Sequence, residues 1–160
     1  MAKLIRGRTV VEDAWRDAGG AGSGPEILPL ATLLATVAPD QQPAAPLGVS
    51  LQPGDEPTAL LPYLERLELI VVEFPKVGEG RGFSVAQLLR QRHGYRGELR
   101  ARGALKRDQL FFLARCGFDS YQLDPAEDLV AALAAFDTFS VAYQRGSGHT
   151  PTLRYPAQGL

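Results

Sequence analysis

The sequence predicts an α/β fold, with an open, mostly parallel sheet of about five strands built from βα units and an N-terminal hairpin. The centres of strand-like runs recur about every 18 to 29 residues with helical patterns between them, a spacing typical of βα units. The run over 69–72 is apolar at every position, as in a parallel strand that is buried on both faces. A half-barrel of βα units is the alternative, because five strands cannot close an eight-stranded barrel.

The N-terminal part of the chain is predicted to contain a hairpin and one helix. The hairpin occupies residues 3–17, turns near Gly7 and is expected to cap one edge of the sheet. Residues 18–46 are predicted to form a glycine-rich loop, a helix over 29–37 with Pro29 in its first turn, and a Pro- and Gln-rich linker.

The βα repeats are predicted over 47–144. Strands are expected over five ranges, which are 47–51, 69–74, 98–102, 120–123 and 138–143. Helices are expected between them, over 58–67, 85–93, 106–116 and 126–136. Helix-end signals are two capping boxes and two C′ glycines, namely Ser84 with Gln87, Asp124 with Glu127, Gly94 and Gly117. Residues 1–144 are therefore expected to form a single α/β domain, and 145–160 a flexible tail.

Composition excludes several classes of protein. A single cysteine, Cys116, rules out an intramolecular disulfide framework, which fits a cytoplasmic protein, and we expect its thiol to be buried. His93 and His149 provide no zinc-ligand spacing, so no metal site is expected. The sequence has no flavin, nicotinamide or haem signature, so no cofactor is expected either. No apolar run reaches the roughly 20 residues that span a bilayer, and no membrane association is expected.

Charge is distributed unevenly along the chain. The protein has a net charge of −1, but residues 74–116 carry ten Lys or Arg against three acidic residues. Such asymmetry predicts a basic face that attracts an anion or an acidic partner surface. The alternative is that these arginines are simply solvated on outward helix faces. Nucleic acid is not an expected partner, because no recognition motif accompanies the basic stretch.

The candidate site follows from where loops leave the strands. In either architecture, the loops at the carboxyl ends of parallel strands meet at one edge of the sheet, and several of them carry cations. The predicted anion-binding residues are Lys76, Gly80, Arg81, Gly82, Ser84, Arg102 and Arg107. Asp108 and Gln109 are predicted to orient them, and no residue is assigned a catalytic role. Arginine binds planar oxyanions through its guanidinium fork, although Arg81 could instead tie its loop to Glu73, Asp108 or a carbonyl.

The strand over 98–102 alternates charged and apolar residues. Glu98, Arg100 and Arg102 share one face, and Leu99 and Ala101 share the other. We interpret this pattern as an edge strand, since charged edges discourage unwanted pairing. The alternative is that the charged side lines a cavity.

Several motifs resemble those of one bacterial family. They are Phe74-Pro75-Lys76, Gly80-Arg81-Gly82-Phe83-Ser84, Tyr95-Arg96-Gly97-Glu98-Leu99-Arg100-Ala101 with Gly103, Arg107-Asp108-Gln109-Leu110 and Arg115-Cys116-Gly117-Phe118-Asp119. The N-terminal Gly7-Arg8 hairpin with Glu12-Asp13 and Trp15 fits the same family, as does Ala142-Tyr143-Gln144. Over about residues 3–144 the chain therefore resembles an uncharacterised domain-of-unknown-function family whose genes often neighbour the hemoprotein sulfite or nitrite reductase. Val77-Gly78-Glu79 departs from the aromatic residue and aspartate that the family more often has there.

The resemblance implies an accessory role in assimilatory sulfite or nitrite reduction. In this interpretation the basic edge binds a small oxyanion or phosphate, or docks the hemoprotein reductase. A small enzyme acting on a phosphate- or carboxylate-bearing metabolite is the first alternative. An oligomeric structural module, with the chain as a homo-oligomer, is the second.

Overall fold

The computed structural model describes residues 2–21, 24–42, 45–76, 78 and 80–136. Eight strands form one sheet: β1 (Lys3–Arg6), β2 (Thr9–Glu12), β3 (Arg16–Asp17), β4 (Glu26–Pro29), β5 (Leu47–Leu51), β6 (Leu67–Phe74), β7 (Glu98–Gly103) and β8 (Ser120–Gln122). Their order across the sheet is β2-β1-β8-β7-β6-β5-β4-β3. Strands β3 to β8 are parallel neighbours in chain order, whereas β1 lies antiparallel to both β2 and β8. This sequential order is that of a barrel segment, because a doubly wound sheet reverses its strand order partway.

The sheet curls strongly. Strands β2 and β3 form its two opposite edges, yet only residues 13–15 connect them. In a flat sheet of eight strands these edges would lie about 34 Å apart, at about 4.8 Å per strand. The four Cα steps from Glu12 to Arg16 can span only about 15 Å. The sheet is therefore a curled half-barrel, and residues 13–15, here called the strap, cross between its edges.

The half-barrel alternative is thus confirmed, and the open sheet of about five strands is corrected to a curled sheet of eight. Strands β3 and β4 were missed, because a two-residue strand and a four-residue strand ending at Pro29 carry no local pattern. Strand β4 forms by pairing with the buried strand β5, with Ile27 opposite Gly48, and β3 forms by pairing with β4. The hairpin is confirmed over residues 3–12, with Gly7 at φ 63° in its turn, and it caps the β8 side of the parallel strands. Residues 16–17, predicted to belong to it, instead form β3 at the opposite edge.

Helices cover the outer face of the half-barrel. They are α1 (Leu30–Thr36), a 3-10 helix (Pro57–Tyr63), α2 (Arg81–Gln87) continuing as a π-helix (Leu88–Arg92), a 3-10 turn (Arg107–Gln109) leading into α3 (Leu110–Cys116), and a helix over 129–136. Outward strand residues such as Ile70, Val72 and Leu99 pack with Leu89 and Leu113 into the main core. In the residues that the structure describes, no helix is long and apolar enough to cross a membrane.

The helix ends differ in part from the predictions. Gly94 and Gly117 are confirmed as positive-φ residues after helices, at 68° and 116°. The Ser84 capping box is wrong, because α2 already begins at Arg81 and Ser84 lies inside it. The last described helix starts after Asp128, whose Oδ1 accepts the N–H of Val130 at 3.0 Å, so the predicted box at Asp124 lies too early. The predicted strand over 138–143 and the tail over 145–160 lie outside the described residues.

Arg90 joins three segments at the end of the half-barrel where the parallel strands begin. Its side chain is fully buried and donates to the carbonyls of Gly117, Tyr95 and Gly97 at 2.9, 2.9 and 2.8 Å. Its Nη2 also pairs with Asp119 at 3.3 Å. Burial raises the pKa of Asp119 to about 6, although Arg90 acts to lower it. We therefore treat Arg90 as a clamp between the π-helix, the loop before β7 and the loop before β8.

Candidate functional site

The inner face of the half-barrel carries the charges of β7. Strand β7 lies between β6 and β8, so the edge-strand interpretation is wrong. Leu99 and Ala101 point outward into the main core. Glu98, Arg100 and Arg102 therefore face the inside, which is the second of the two interpretations of the alternating pattern.

Arg100 is the centre of a buried ion cluster on this face. Its side chain is 0% exposed, and its Nη1 and Nη2 lie 3.0 Å from Asp13 and 3.1 Å from Glu98. Glu98 also accepts a 2.7 Å hydrogen bond from Ser120 and pairs with Arg6 at 3.3 Å. Because Asp13 belongs to the strap, these contacts fasten the strap to β7 and close the half-barrel from inside.

An apolar patch lies beside the ion cluster. Trp15, also in the strap, packs against Ile27, Leu69 and Val71 on the inner face. A Cβ on Gly48 would lie 2.7 Å from the Trp15 ring, so the indole needs a glycine beneath it. The strap is therefore held by the ion pair of Asp13 with Arg100 and by the packing of the Trp15 ring on the inner face.

A second charged group lies at the carboxyl ends of the parallel strands. We call Asp17, Glu73, Arg102 and Gln122 the mouth cluster, because each lies at or next to the end of its strand. The Nε of Arg102 donates to Glu73 Oε2 and Oε1 at 3.0 and 3.3 Å, and its Nη2 contacts Glu73 and, at 3.1 Å, Asp17. Burial lowers the pKa of Arg102, but the hydrogen bonds and charges of Glu73 and Asp17 outweigh burial and raise it. Arg102 is therefore a permanent cation at this end of the half-barrel.

Two buried polar atoms on the inner face have no hydrogen-bond partner in the described part of the chain. They are Arg100 Nε, a donor, and Gln122 Oε1, an acceptor. Buried polar atoms are usually satisfied by protein, water or ligand, so such atoms mark where a polar molecule would be held. Across the described residues, no group of three or more His, Cys, Asp or Glu could hold a metal ion. The inner face is suited to polar ligands that bind by hydrogen bonds and charge.

The predicted cations of the loops lie around this mouth, but in separate places. Lys76, Arg81 and Arg107 are all exposed at the carboxyl ends of the strands. The Nη1 of Arg81 lies 3.8 Å from where a Cβ on Gly54 would sit, which places Arg81 over the loop after β5. Arg107 instead follows β7, and its backbone N–H donates to Glu127 at 3.0 Å. Of the predicted anion-binding residues, Arg102 alone belongs to the mouth cluster.

The remaining predicted residues have defined local roles. Gln109 Oε1 accepts the backbone N–H of Lys106 at 2.9 Å and so closes the 3-10 turn before α3. Asp108 is exposed in the first turn of that helix, and Ser84 is exposed within α2. Cys116 is buried, as predicted, and burial raises the pKa of its thiol to about 11.

The glycines before and within α2 should respond differently to substitution. A Cβ on Gly82 would lie 2.5 Å from Cζ of Phe74, so we expect Gly82→Ala to lower the free energy of unfolding by about 1–3 kcal/mol through overpacking. Gly80 has nothing within 4 Å of its Cβ position and a φ of −101°, so Gly80→Ala should change stability by less than about 0.5 kcal/mol. Urea denaturation of both variants tests this difference, and an equal cost would show that Gly82 is not a packing glycine.

Sequence reasoning missed the acidic half of the site. Glu73 ends an apolar strand and pairs with Arg102 through the parallel register, a signal that the strand pattern could have given. Asp13 and Asp17 carry no local signal, because they reach β7 only through the curl of the sheet.

A wide groove lies at the opposite end of the strands. It is lined by residues such as Arg66, His93, Arg96 and Tyr95, next to the beginnings of β6 and β7. In barrels of βα units this end serves stability rather than chemistry, and here the groove is also lined by Tyr95 and Gly97, whose carbonyls accept hydrogen bonds from Arg90. We therefore place the candidate site at the mouth, where charged side chains from three strands converge beside the amide of Gln122 on a fourth.

Residues 48–153 match the model of the family described as "Bacterial protein of unknown function (DUF934)". Comparison with curated proteins gives no match. The family match begins at β5, so it includes Glu73, Glu98, Arg100 and Arg102 but not the hairpin, the strap or Asp17. Because the match covers more than half of the sequence, the chain belongs to the DUF934 family of bacterial proteins of unknown function.

Proposed function

We propose that this protein binds a small oxyanion at the mouth of the half-barrel and acts as an accessory protein in assimilatory sulfite or nitrite reduction. The observation that carries the binding proposal is the position of Arg102, which is partly buried at the carboxyl end of β7 with exposed cations on the neighbouring loops. A buried guanidinium can hold an oxyanion by paired hydrogen bonds, and exposed cations raise the local concentration of anions. The link to sulfite or nitrite reduction comes from the resemblance described above.

The exposed cations define the steering part of the proposed site. Lys76, Arg81 and Arg107 lie on the loop after β6 and at the starts of the helical segments that follow β6 and β7, so an anion approaching this end meets positive charge before it reaches Arg102. The same cations offer a docking surface for an acidic patch of the hemoprotein reductase. Both interactions would weaken at high ionic strength, because exposed charges are screened over about 8 Å at physiological salt.

Ligand binding should raise the thermal stability of the protein. We expect sulfite or phosphate to increase the melting temperature, with about 2.7 kcal/mol of stabilisation at a hundredfold excess over the dissociation constant. Thermal-shift titration at constant ionic strength measures this effect, with chloride as the control anion. Arg81→Ala should weaken binding, and Arg92→Ala, at the opposite end of the strands, should not. A melting temperature unchanged by every oxyanion, in the wild type and in the variants described below, would refute the binding proposal.

A second candidate function is an enzyme acting on a phosphate- or carboxylate-bearing metabolite. The observation that favours it is the inward position of Glu73 beside Arg102, since barrels of βα units place catalytic groups at the carboxyl ends of their strands. In that case Arg102 would hold the anionic group of the substrate and Glu73 would move a proton. Turnover lost in Glu73→Gln with retained oxyanion binding would favour the enzyme over the accessory protein.

A further inference from the structure

The partners of Arg102 differ sharply in how firmly they are held. Glu73 is 14% exposed and occupies the side of the guanidinium formed by Nε and Nη2. Asp17 is 65% exposed, and among the described residues its carboxylate pairs with Arg102 alone, at 3.1 Å from Nη2. The end of the guanidinium formed by Nη1 and Nη2 is therefore occupied only in part, because Nη1 donates to no residue in the described ranges.

The edge formed by Nη1 and Nη2 is one of the two edges of a guanidinium that can bind an oxyanion through two parallel N–H donors. The Asp17 carboxylate is itself a planar oxyanion, and it reaches Arg102 from the two-residue strand β3 across the mouth. Its side chain is mostly in solvent, so it can leave Arg102 by side-chain rotation, without movement of the sheet. Glu73 cannot leave in the same way, because it lies within the hydrogen-bonded strand β6 and is largely buried.

We infer that the Asp17 carboxylate stands in for the ligand on Arg102, and that a small oxyanion binds by displacing Asp17 while Glu73 stays in place. The ligand class is a free oxyanion with two oxygens in fork geometry, such as sulfite, phosphate or a carboxylate. This inference rests on the proposed binding function and assigns its anion to the Nη1 and Nη2 edge of Arg102. Asp17 is then a competitor that sets the affinity, and its release opens the only ion pair that joins β3 to β7 among the described residues.

Removal of the competing carboxylate should tighten binding. We expect Asp17→Asn to lower the dissociation constants of sulfite and phosphate about tenfold, which corresponds to about 1.4 kcal/mol. The matched control is Asp40→Asn, which removes the same charge from an exposed turn between α1 and β5 and should change affinity by less than about twofold. Arg102→Lys should weaken binding more than tenfold, because a lysine cannot form the fork. Isothermal titration calorimetry at fixed ionic strength gives all four values.

The outcomes separate this inference from the function on which it rests. A wild type too weak to measure, with binding detectable in Asp17→Asn, supports displacement in its strongest form. Equal affinities of Asp17→Asn and Asp40→Asn would overturn the inference and leave oxyanion binding intact at another place, such as Arg81. Absence of binding in the wild type and in Asp17→Asn would overturn both. If Arg102→Lys fails to fold, the comparison of the two aspartate variants still decides the question.

Discussion

Arg100→Met should destabilise the protein by about 3–5 kcal/mol, because it leaves Asp13 as a buried carboxylate without its cation and leaves Glu98 paired only with the more exposed Arg6. That is a large part of the 5–15 kcal/mol that typically stabilises a domain. Methionine keeps much of the length and apolar contact of the arginine stem, so the loss reports the charge rather than the volume. Urea denaturation measures it, and Trp15, the sole tryptophan, provides a fluorescence signal from the strap itself.

Two further variants test the cause of that loss. Arg92→Met removes an exposed arginine from the π-helix and should cost less than about 0.5 kcal/mol. The triple variant Asp13→Asn, Glu98→Gln, Arg100→Met removes the buried charges together and should recover a good part of the stability. If Arg100→Met costs no more than Arg92→Met, the strap is not fastened through this cluster.

Arg90→Met should cost about 3 kcal/mol or more at neutral pH, because three buried carbonyls lose their donor and Asp119 loses its cation. The cost should depend on pH in a defined direction. With Arg90 present, the pKa of Asp119 is already raised to about 6 by burial, and removal of the cation raises it further. Well below a pH of about 6, the Asp119 carboxyl is protonated in the folded state of both proteins, so the difference in their free energies of unfolding is smaller there.

We therefore expect the stability difference between wild type and Arg90→Met to be smaller at pH 5 than at pH 8. A carboxyl whose pKa is raised in the folded state makes the protein less stable as the pH rises through that pKa. Because the pKa of Asp119 is higher in the variant than in the wild type, the variant loses stability over a wider pH interval. Denaturation at the two pH values measures this, with Arg92→Met as the matched control from the same helix. A difference independent of pH would show that the lost carbonyl hydrogen bonds, and not Asp119, account for the cost.

Much of the βα frame was predictable because its signals are local. The apolar run of β6 and the alternation in β7 depend only on residues two apart, and Gly94 and Gly117 follow from the backbone geometry at helix ends. The beginning of α2 was less predictable. Ser84 and Gln87 have the spacing of a capping box, but the close approach of Gly82 to Phe74 lets the helix begin at Arg81 rather than at the predicted residue 85.

The candidate site was predictable on its basic side and not on its acidic side. The loops after parallel strands share one edge in any sheet of this kind, so Lys76, Arg81 and Arg107 could be assigned to that edge from the sequence. The sequence could not predict that these cations lie apart from one another, since this depends on the direction of the Arg81 side chain, which extends toward Gly54. The partner of Arg102 on β3 was equally hidden, because β3 itself exists only through its pairing with β4.

By itself, the sequence determined an α/β chain of βα units with a hairpin at one edge, a basic segment over 74–116 and cations on the loops at one end of its strands. These features follow from residue periodicity and from the charge of each segment, and both depend only on residues that are close in sequence. The tertiary structure alone decided that the sheet curls, that the strap closes it, and that Asp13 and Asp17 meet Arg100 and Arg102 on β7. Those contacts join residues more than 80 positions apart, and only the accumulated twist and curl of eight paired strands brings them within hydrogen-bond distance.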